Sequence, residues 1–403
     1  MRLSQSIFLS LGLPLSSFAL QNDLQKPLTF TNPFDNINAP HCPAKTPLSC
    51  QRKSEPVDSC CYDDVLFLST QFWNYYPAIG ANDTFTLHGL WPDNCDGSYE
   101  QFCDSSMNIN NVTEILEQFG EHELLEKMKE VWLNINHNDE SLWLHEFNKH
   151  ATCIDSIKTP CYGGLGTNYQ PHQNVVDFFK VTVNLWEKLP TFQWLAEAGI
   201  HPSVDVTYTK KQIEEALAEK FGATPFIKCN RFNGIQEIWY FNTKKGSLLE
   251  QNFIPLPSLM DGKCPDEGIK FYPKGSLGKE PPRKGGPTRG YVKLDGQDGC
   301  LIRSGKWIIG GSCATYYLED APFGGHQLKS RNGYCSISKT DGSLICAKNI
   351  KPMQFQLDKS TGFLGLNGKE SWSTDKAPRK YHYVPVYLGD QKDVKFKLRF
   401  DKI

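Results

Sequence analysis

The sequence predicts an α+β domain followed by a small all-β module, and three observations carry that expectation. From residue 65 to about residue 241, segments of helical apolar period alternate irregularly with short strand-like runs. Beyond residue 290 the helical period disappears, and short β-prone runs are separated by glycine turns. Between them, Pro273 to Gly290 reads PKGSLGKEPPRKGGPTRG, a linker composition with no apolar period. The charge changes sign at the same place. Residues 1–270 carry 20 Lys+Arg against 33 Asp+Glu (−13), and residues 271–403 carry 23 against 12 (+11). A chain of 403 residues accommodates two or three domains, and 39% hydrophobic with 22% charged residues is an ordinary globular composition. Mean hydropathy of −0.45, with no long apolar run, predicts no membrane span. The net charge of −2 excludes a uniformly polycationic nucleic-acid binder.

Taken in order, Met1-Arg2, the apolar stretch Ile7 to Leu15 and the small residues of Ser17-Phe18-Ala19 read as a signal peptide over 1–19. The first domain then spans 20–272. Val65 to Trp73 opens with an apolar run suited to a buried strand. Val112 to Leu133 predicts one or two helices broken near Gly120, and Asn174 to Leu189 a further amphipathic helix. Lys210 to Phe221 is another, with Ile213 and Leu217 at i, i+4. Gly234 to Phe241 (GIQEIWYF) reads as a strand. After the linker, 273–287, the β module occupies 288–403. Its strand-like runs are Gly290 to Leu294, Cys300 to Ile309, Tyr334 to Ser338, Ser343 to Lys348 and Val394 to Phe400. Turns such as Asp295-Gly296, Asn332-Gly333 and Asp341-Gly342 separate them.

Fourteen cysteines, an even number in a chain with a secretory leader, imply up to seven disulfides and an oxidising compartment. Cys300/Cys313 and Cys335/Cys346 are spaced for hairpin-like staples. With no CxxC pair, structural zinc is not expected. Asn82-Asp-Thr and Asn111-Val-Thr are glycosylation sequons.

Reactive side chains concentrate in two windows, FTLHGLWPDNC (Phe85–Cys95) and WLHEFNKHATC (Trp143–Cys153). In a helix, Glu146 and His150 share a face at i, i+4, as do His145 and Lys149. Glu146 then orients or charges His150, and Lys149 adds a fixed cation. His145 and His150 fall about 140° apart around such a helix, so they are not expected to converge on a metal as HExxH histidines do. Imidazoles, a lysine and a glutamate without a metal accept a phosphate and move two protons at mildly acidic pH. Trp91 supplies a flat surface for a base. The remaining histidines, at 41, 122, 137, 172, 201, 326 and 382, lack reactive neighbours and read as ordinary surface or core residues.

FTLHGLWPDNCDGSY and HEFNKHATC resemble the two active-site segments of the ribonuclease T2 family, the base-nonspecific acid endoribonucleases, and most resemble its fungal members. The resemblance runs from about Cys42 to Cys264. It implies a central antiparallel sheet with flanking helices and no cofactor. By the same resemblance, His88 is the general acid, His150 the general base and His145 a phosphate ligand, while Glu146 and Lys149 stabilise the pentacoordinate phosphorus. Trp91, Asp93 and Tyr99 match positions that hold one base, and Gln71 loosely matches a contact to the other. The pairings it implies are Cys42–Cys60, Cys50–Cys95, Cys61–Cys161, Cys103–Cys153 and Cys229–Cys264.

Two positions depart from the family pattern. Ala151 stands where Gly is usual, a cost of about 1 kcal/mol if the backbone there is left-handed. Leu142 stands where many members have Phe. The linker and β module resemble the C-terminal extension of yeast members, and residues 288–403 carry 19 Lys+Arg against 11 Asp+Glu (+8). That balance suits either a basic surface holding RNA or anionic cell-wall polymer, or a solvated face on a stabilising module. Trp307, Trp372, Tyr381 and Tyr383 are its candidate sugar-binding rings. The expectation is therefore a monomeric endoribonuclease acting on single-stranded RNA such as rRNA and tRNA. Resemblance to yeast members implies the vacuole lumen or the exterior as its compartment, with release to the cytoplasm under stress. The competing classes are a catalytically dead binding relative and a secreted polysaccharide-binding protein.

Overall fold

The computed structural model describes residues 32–51, 56–163, 169–277, 287–321 and 324–403. The expected signal peptide and most of the expected linker lie outside the described residues. The first domain is built on a five-stranded antiparallel sheet of β1 (Val65–Phe72), β2 (Thr86–Asn94), β4 (Phe226–Cys229), β5 (Ile235–Lys245) and β6 (Asn252–Leu256). A separate two-stranded ladder joins β3 (Thr207–Tyr208) to β7 (Ile269–Lys270). The order is β2-β1-β5, with β4 and β6 sharing the far edge of the long β5. The apolar run of β1 is continuous because both of its faces are covered. Phe67 enters the main core, whereas Leu66 and Leu68 join Phe226 and Phe241 in a smaller cluster.

The helices are α1 (Val112–Gln118), α2 (His122–Val131), α3 (Asp139–Lys149), α4 (Pro160–Gly163), α5 (Gln173–Glu187), α6 (Thr191–Glu197) and α7 (Lys210–Phe221). Gly120, at φ +72°, makes the expected break between α1 and α2, since that backbone favours a residue without a Cβ. A capping box between Thr209 and Gln212 starts α7, and left-handed Gly222 ends it. Glu140, in the first turn of α3, accepts from the Val112 and Thr113 backbone N–H groups. One carboxylate thus ties the start of α1 to the helix that carries the reactive side chains. Leu142 is fully buried in the main core, so the family's phenylalanine position contributes packing here. Ala151 lies in the right-handed 3-10 turn Ala151–Cys153, so the feared left-handed penalty does not arise.

Seven disulfides join the described cysteines, and two of them correct the expected pairing. Cys42 bonds Cys61 and Cys60 bonds Cys161, in place of Cys42–Cys60 and Cys61–Cys161. Asp58 explains the exchange. Its carbonyl accepts from the Cys61 N–H and its carboxylate accepts from the Cys60 N–H, closing a turn in which the neighbouring side chains diverge. Cys61 faces inward to Cys42, and Cys60 faces Cys161. Adjacent cysteines have nearly equal reach along the chain, so spacing alone does not separate the alternatives. The other bridges are Cys50–Cys95, Cys103–Cys153, Cys229–Cys264, Cys300–Cys313 and Cys335–Cys346.

The chain stays docked on the first domain past residue 272. Lys274 Nζ donates to the carbonyls of Ile79, Ala81 and Thr84 and lies 4.6 Å from the Trp73 ring centroid. In the second module, six strands form a closed antiparallel ring, the last pairing back to the first. They are Thr288–Leu294, Thr315–Asp320, His326–Ser330, Phe355–Leu357, Phe363–Leu366 and Val394–Lys402. Four of the six were not legible as strands because two are only three or four residues long and the other two mix apolar with charged residues. Thr315–Asp320, for example, buries Tyr316 and Leu318 but turns Tyr317 and Glu319 outward. Trp307 and Trp372 are fully buried core, whereas Tyr381 and Tyr383 are 68% and 58% exposed. The module touches the first domain where Asn108 Nδ2 and Asn138 Nδ2 donate to the carbonyls of Asn367 and Pro352. Beside them, the Phe102 ring packs on Gly368.

Candidate active site

Two local irregularities present the reactive groups. The β1–β2 register shifts between Thr70, opposite Gly89, and Gln71, opposite Leu87. His88 is the extra residue, and bulges re-aim side chains in this way. Its ring stacks on Phe72 with centroids 3.9 Å apart, and its carbonyl accepts from Trp132 Nε1 at 2.7 Å. The second irregularity is the end of α3. The helix stops at Lys149, and His150 occupies the capping position at φ −107°, ψ −52°. The chain then turns through Ala151–Cys153, held by Cys103–Cys153.

The early helix end corrects the expectation that His145 and His150 diverge. Their rings meet edge to face with centroids 6.3 Å apart. One ligand atom each of His145, Glu146 and His150 lies within 4.8 Å of the others, an arrangement with metal-binding geometry. The angular argument holds only inside a regular helix, and His150 lies just outside one.

Glu146 is the hub. Its Oε1 lies 3.6 Å from His88 Nε2 and its Oε2 lies 4.0 Å from His150 Nε2. Trp91 Nε1–H donates to Oε2 at 2.7 Å, while the indole stacks on His150 at 5.1 Å. Trp91 therefore braces the carboxyl and a histidine, a role beyond the base platform expected of it. The sheet must come close for this. A Cβ on Gly89 would lie 2.1 Å from Glu146 Oε2, so the glycine of the HGLWP segment is a packing requirement.

Burial dominates the electrostatics. Desolvation lowers the pKa of His88, His145 and His150 well below 6.5, and the neighbouring Lys149 lowers all three further. Burial pushes Glu146 up to about 8 against the opposing pull of Trp91 and Lys149. Asp93 is pushed up to about 7 by burial, partly offset by Lys149. The Lys149 ammonium is itself lowered by desolvation. Among the described residues, His145 Nε2, Glu146 Oε1 and both ring nitrogens of His150 are buried without a protein hydrogen-bond partner. Buried polar atoms are rarely left so, and here they cluster around one carboxyl. The imidazole N–H groups and a protonated Glu146 can donate to the oxygens of a phosphate group, and an unprotonated imidazole nitrogen can accept from a hydroxyl beside it.

Asp93 and Tyr99 are bridged across a tight turn that Cys50–Cys95 anchors. Tyr99 is 60% exposed, and Lys149 Nζ sits 5.8 Å from its ring centroid, so a free aromatic face lies beside the cluster. Gln71 is different. It is fully buried, its Nε2 donates to the Leu189 carbonyl, and its Oε1 accepts from the Thr191 hydroxyl. Both ends of the amide are thus engaged by the scaffold, where it lines a cavity of about 160 Å³ beside Thr191 and Phe192. Asn82 and Asn111 are exposed, and Asn111 also caps α1.

Sequence reasoning missed a second constellation. Glu237, 3% exposed on β5, places Oε2 4.0 Å from His88 Nδ1. The same carboxylate pairs with Lys228 at 2.5 Å and accepts from Trp239 Nε1 at 2.8 Å. Trp239 in turn packs edge-on against Trp91. The available signal was an acidic residue inside the apolar strand GIQEIWYF.

Known proteins share this architecture. The ribonuclease T2 family matches residues 59–254, and the RNase T2-like C-terminal domain matches residues 284–401. A "Ribonuclease T2-like" protein of Debaryomyces hansenii is 46% identical over 376 residues, covering 90% of this chain and 92% of that one. A protein of the same description from Saccharomyces cerevisiae is 40% identical over 429 residues, covering 95% and 99%. The crystal structure of actibind, described as a T2 ribonuclease, aligns with a TM-score of 0.55 at 42% identity, covering 58% of this chain and 98% of that one.

Proposed function

The chain belongs to the ribonuclease T2 family and is an endoribonuclease, and we propose that it cleaves single-stranded RNA, including rRNA and tRNA, with little base specificity and by metal-free acid–base transphosphorylation. His150 accepts the 2′-hydroxyl proton as O2′ forms a bond to phosphorus. The P–O5′ bond breaks, and His88 gives its proton to the departing O5′. The products are a 2′,3′-cyclic phosphate end and a 5′-hydroxyl end, so atoms and protons balance with no cofactor. His145 and Lys149 hold the non-bridging oxygens. With its carboxyl pushed up to about 8, Glu146 is protonated at mildly acidic pH and donates a hydrogen bond to the phosphoryl group instead of repelling it. Tyr99, Asp93 and Trp91 hold one base.

The observation that supports this reading best is the set of unpartnered buried polar atoms around Glu146, between two histidines that approach it from a strand and a helix end. Lowered histidine pKa values fit work at acidic pH, where one imidazole must carry a proton while another is free to take one. Seven disulfides among the described residues fit an oxidising compartment. A secretory destination, the vacuole lumen or the exterior, with modification at Asn82 and Asn111 and release under stress, belongs to the same proposal. So do a monomeric state and binding of cell-wall polymer by the second module. Cleavage of a dinucleotide set at about pH 5, with mass detection of cyclic-phosphate ends, tests the chemistry. Exclusive 3′-hydroxyl or 5′-phosphate ends would refute it.

A further inference from the structure

Several cations of the second module stay out of its ion pairs, and two of them share one cavity. Lys293, Lys329, Lys392, Lys397 and Arg399 each pair with a carboxylate of the module. Among the described residues, Arg303 and Arg331 form no salt bridge, and both line one cavity of about 820 Å³. Its wall also offers Ser312, Thr315 and Asn332, and no carboxylate among the described residues lines it. Exposed guanidinium groups beside hydroxyl and amide donors suit the paired oxygens of phosphate.

The arginines sit on loops tied to one another. Ser330 Oγ donates to the Arg303 carbonyl at 2.7 Å and accepts from the Asn332 N–H at 3.0 Å. Tyr316 OH donates to the Ile302 carbonyl at 2.6 Å, and Cys300–Cys313 staples the adjoining wall. A preformed site loses less ordering entropy on binding.

Two exposed aromatic side chains lie along the same hairpin. The hairpin that carries Arg303 runs into Trp307–Ile308, which pairs with Tyr383–Val384. Lys306 Nζ lies 5.1 Å from the Tyr383 ring centroid and Lys380 Nζ lies 5.3 Å from that of Tyr381. Both tyrosines are more than half exposed. Alternating cations and open rings form the pattern that tracks a single strand, phosphate on charge and base on ring.

We infer that this cavity and the tyrosines farther along the hairpin form a second RNA-binding site, which holds single-stranded phosphodiester backbone away from the catalytic cleft. The inference rests on the ribonuclease reading above. Strand pairing fixes where the site lies. Thr315 and Ser330 mark one end of the ring of strands, whereas Asp320, His326, Phe355 and Leu366 are paired at the other. Asn367 and Gly368, which touch the first domain, belong to that second end. The site is therefore about 17 Å, five residues of strand, beyond the docked turn, and it serves long RNA and not dinucleotides.

The test uses the full-length protein and an uncleavable 2′-O-methyl oligoribonucleotide. Losing two phosphate contacts weakens single-strand binding about 25-fold at 0.1 M salt and flattens the salt dependence by a slope of about 1.4. Arg303→Gln/Arg331→Gln is expected to do this and to lower the ratio of long-RNA to dinucleotide turnover. The charge-matched control Lys359→Gln/Lys376→Gln, on exposed residues, is expected to bind as wild type. Tyr381→Ala/Tyr383→Ala is expected to lose about tenfold or more through stacking. Equal loss in the control pair, or unchanged RNA binding in the arginine pair, overturns the site. Loss of binding to a sulfated polysaccharide alone overturns it in favour of a polysaccharide site. Absence of dinucleotide cleavage by the wild type marks failure of the ribonuclease reading instead.

Discussion

Gly89→Ala probes the closest contact in the catalytic cluster. The added Cβ would lie 2.1 Å from Glu146 Oε2 and 2.9 Å from both Glu146 Cδ and Trp91 Nε1. Reaching an ordinary 3.4 Å contact forces the carboxyl oxygen back by about 1.3 Å. That oxygen accepts the 2.7 Å bond from Trp91, so the retreat breaks it and leaves a buried indole N–H without a partner. The loss is about 1–3 kcal/mol of stability, read as a melting temperature lower by several degrees. Misplacement of a reacting group by about 1 Å costs about 100-fold in rate. Glu146 also spans His88 and His150, so the fall should appear mainly in kcat on a dinucleotide substrate. Cleavage within about threefold of wild type at an unchanged melting temperature would refute the claim that Gly89 exists to admit the Glu146 carboxyl.

Other expectations follow from the same geometry. Burial and then Lys228 are the leading causes of the lowered His88 pKa, and the proposed general-acid role requires His88 to be protonated. Activity should therefore fall as pH rises through a value below 6.5, and Lys228→Gln should move that limb upward. A downward or absent movement in kcat/KM profiles would contradict it. Burial raises the Glu146 pKa from 4.5 to about 8, so its stability contribution is fully present below 4.5 and is lost as pH rises through about 8. Thermal unfolding of Glu146→Gln should show a flatter pH dependence over that window than wild type, and parallel curves would refute the shift. Cys42→Ser should leave a free thiol at Cys61, located by alkylation and peptide sequencing, whereas a label on Cys60 would restore the alternative pairing.

What could be read from the chain was what lies close together in it. His88 and Trp91 share one window, and His145, Glu146, Lys149 and His150 share another, so residue type and spacing alone suggested phosphate chemistry. The family resemblance then supplied roles. Glu237 and Lys228 escaped because they reach the cluster from strands near the end of the domain, joined to it only by the β1–β5 pairing. The convergence of His145 with His150 escaped for a different reason. It depends on α3 ending one residue before His150, and helix ends are the least certain feature of a periodic reading. The Cys60/Cys61 exchange depends on a turn made by Asp58, a backbone detail that no count of spacings contains. In the second module, Trp307 and Trp372 resemble Tyr381 and Tyr383 as residue types, and only the closed ring of strands separates core rings from exposed ones.

The most direct test of the central claim is end-group analysis of RNA cleaved at about pH 5 in excess EDTA, comparing wild type with His88→Ala and His150→Ala. Two histidines flanking one carboxyl predict 2′,3′-cyclic phosphate ends from the wild type, and none from either variant while each keeps a cooperative melting transition. Loss of wild-type cleavage in EDTA, or cyclic-phosphate ends from a folded His150→Ala protein at the wild-type rate, would contradict it.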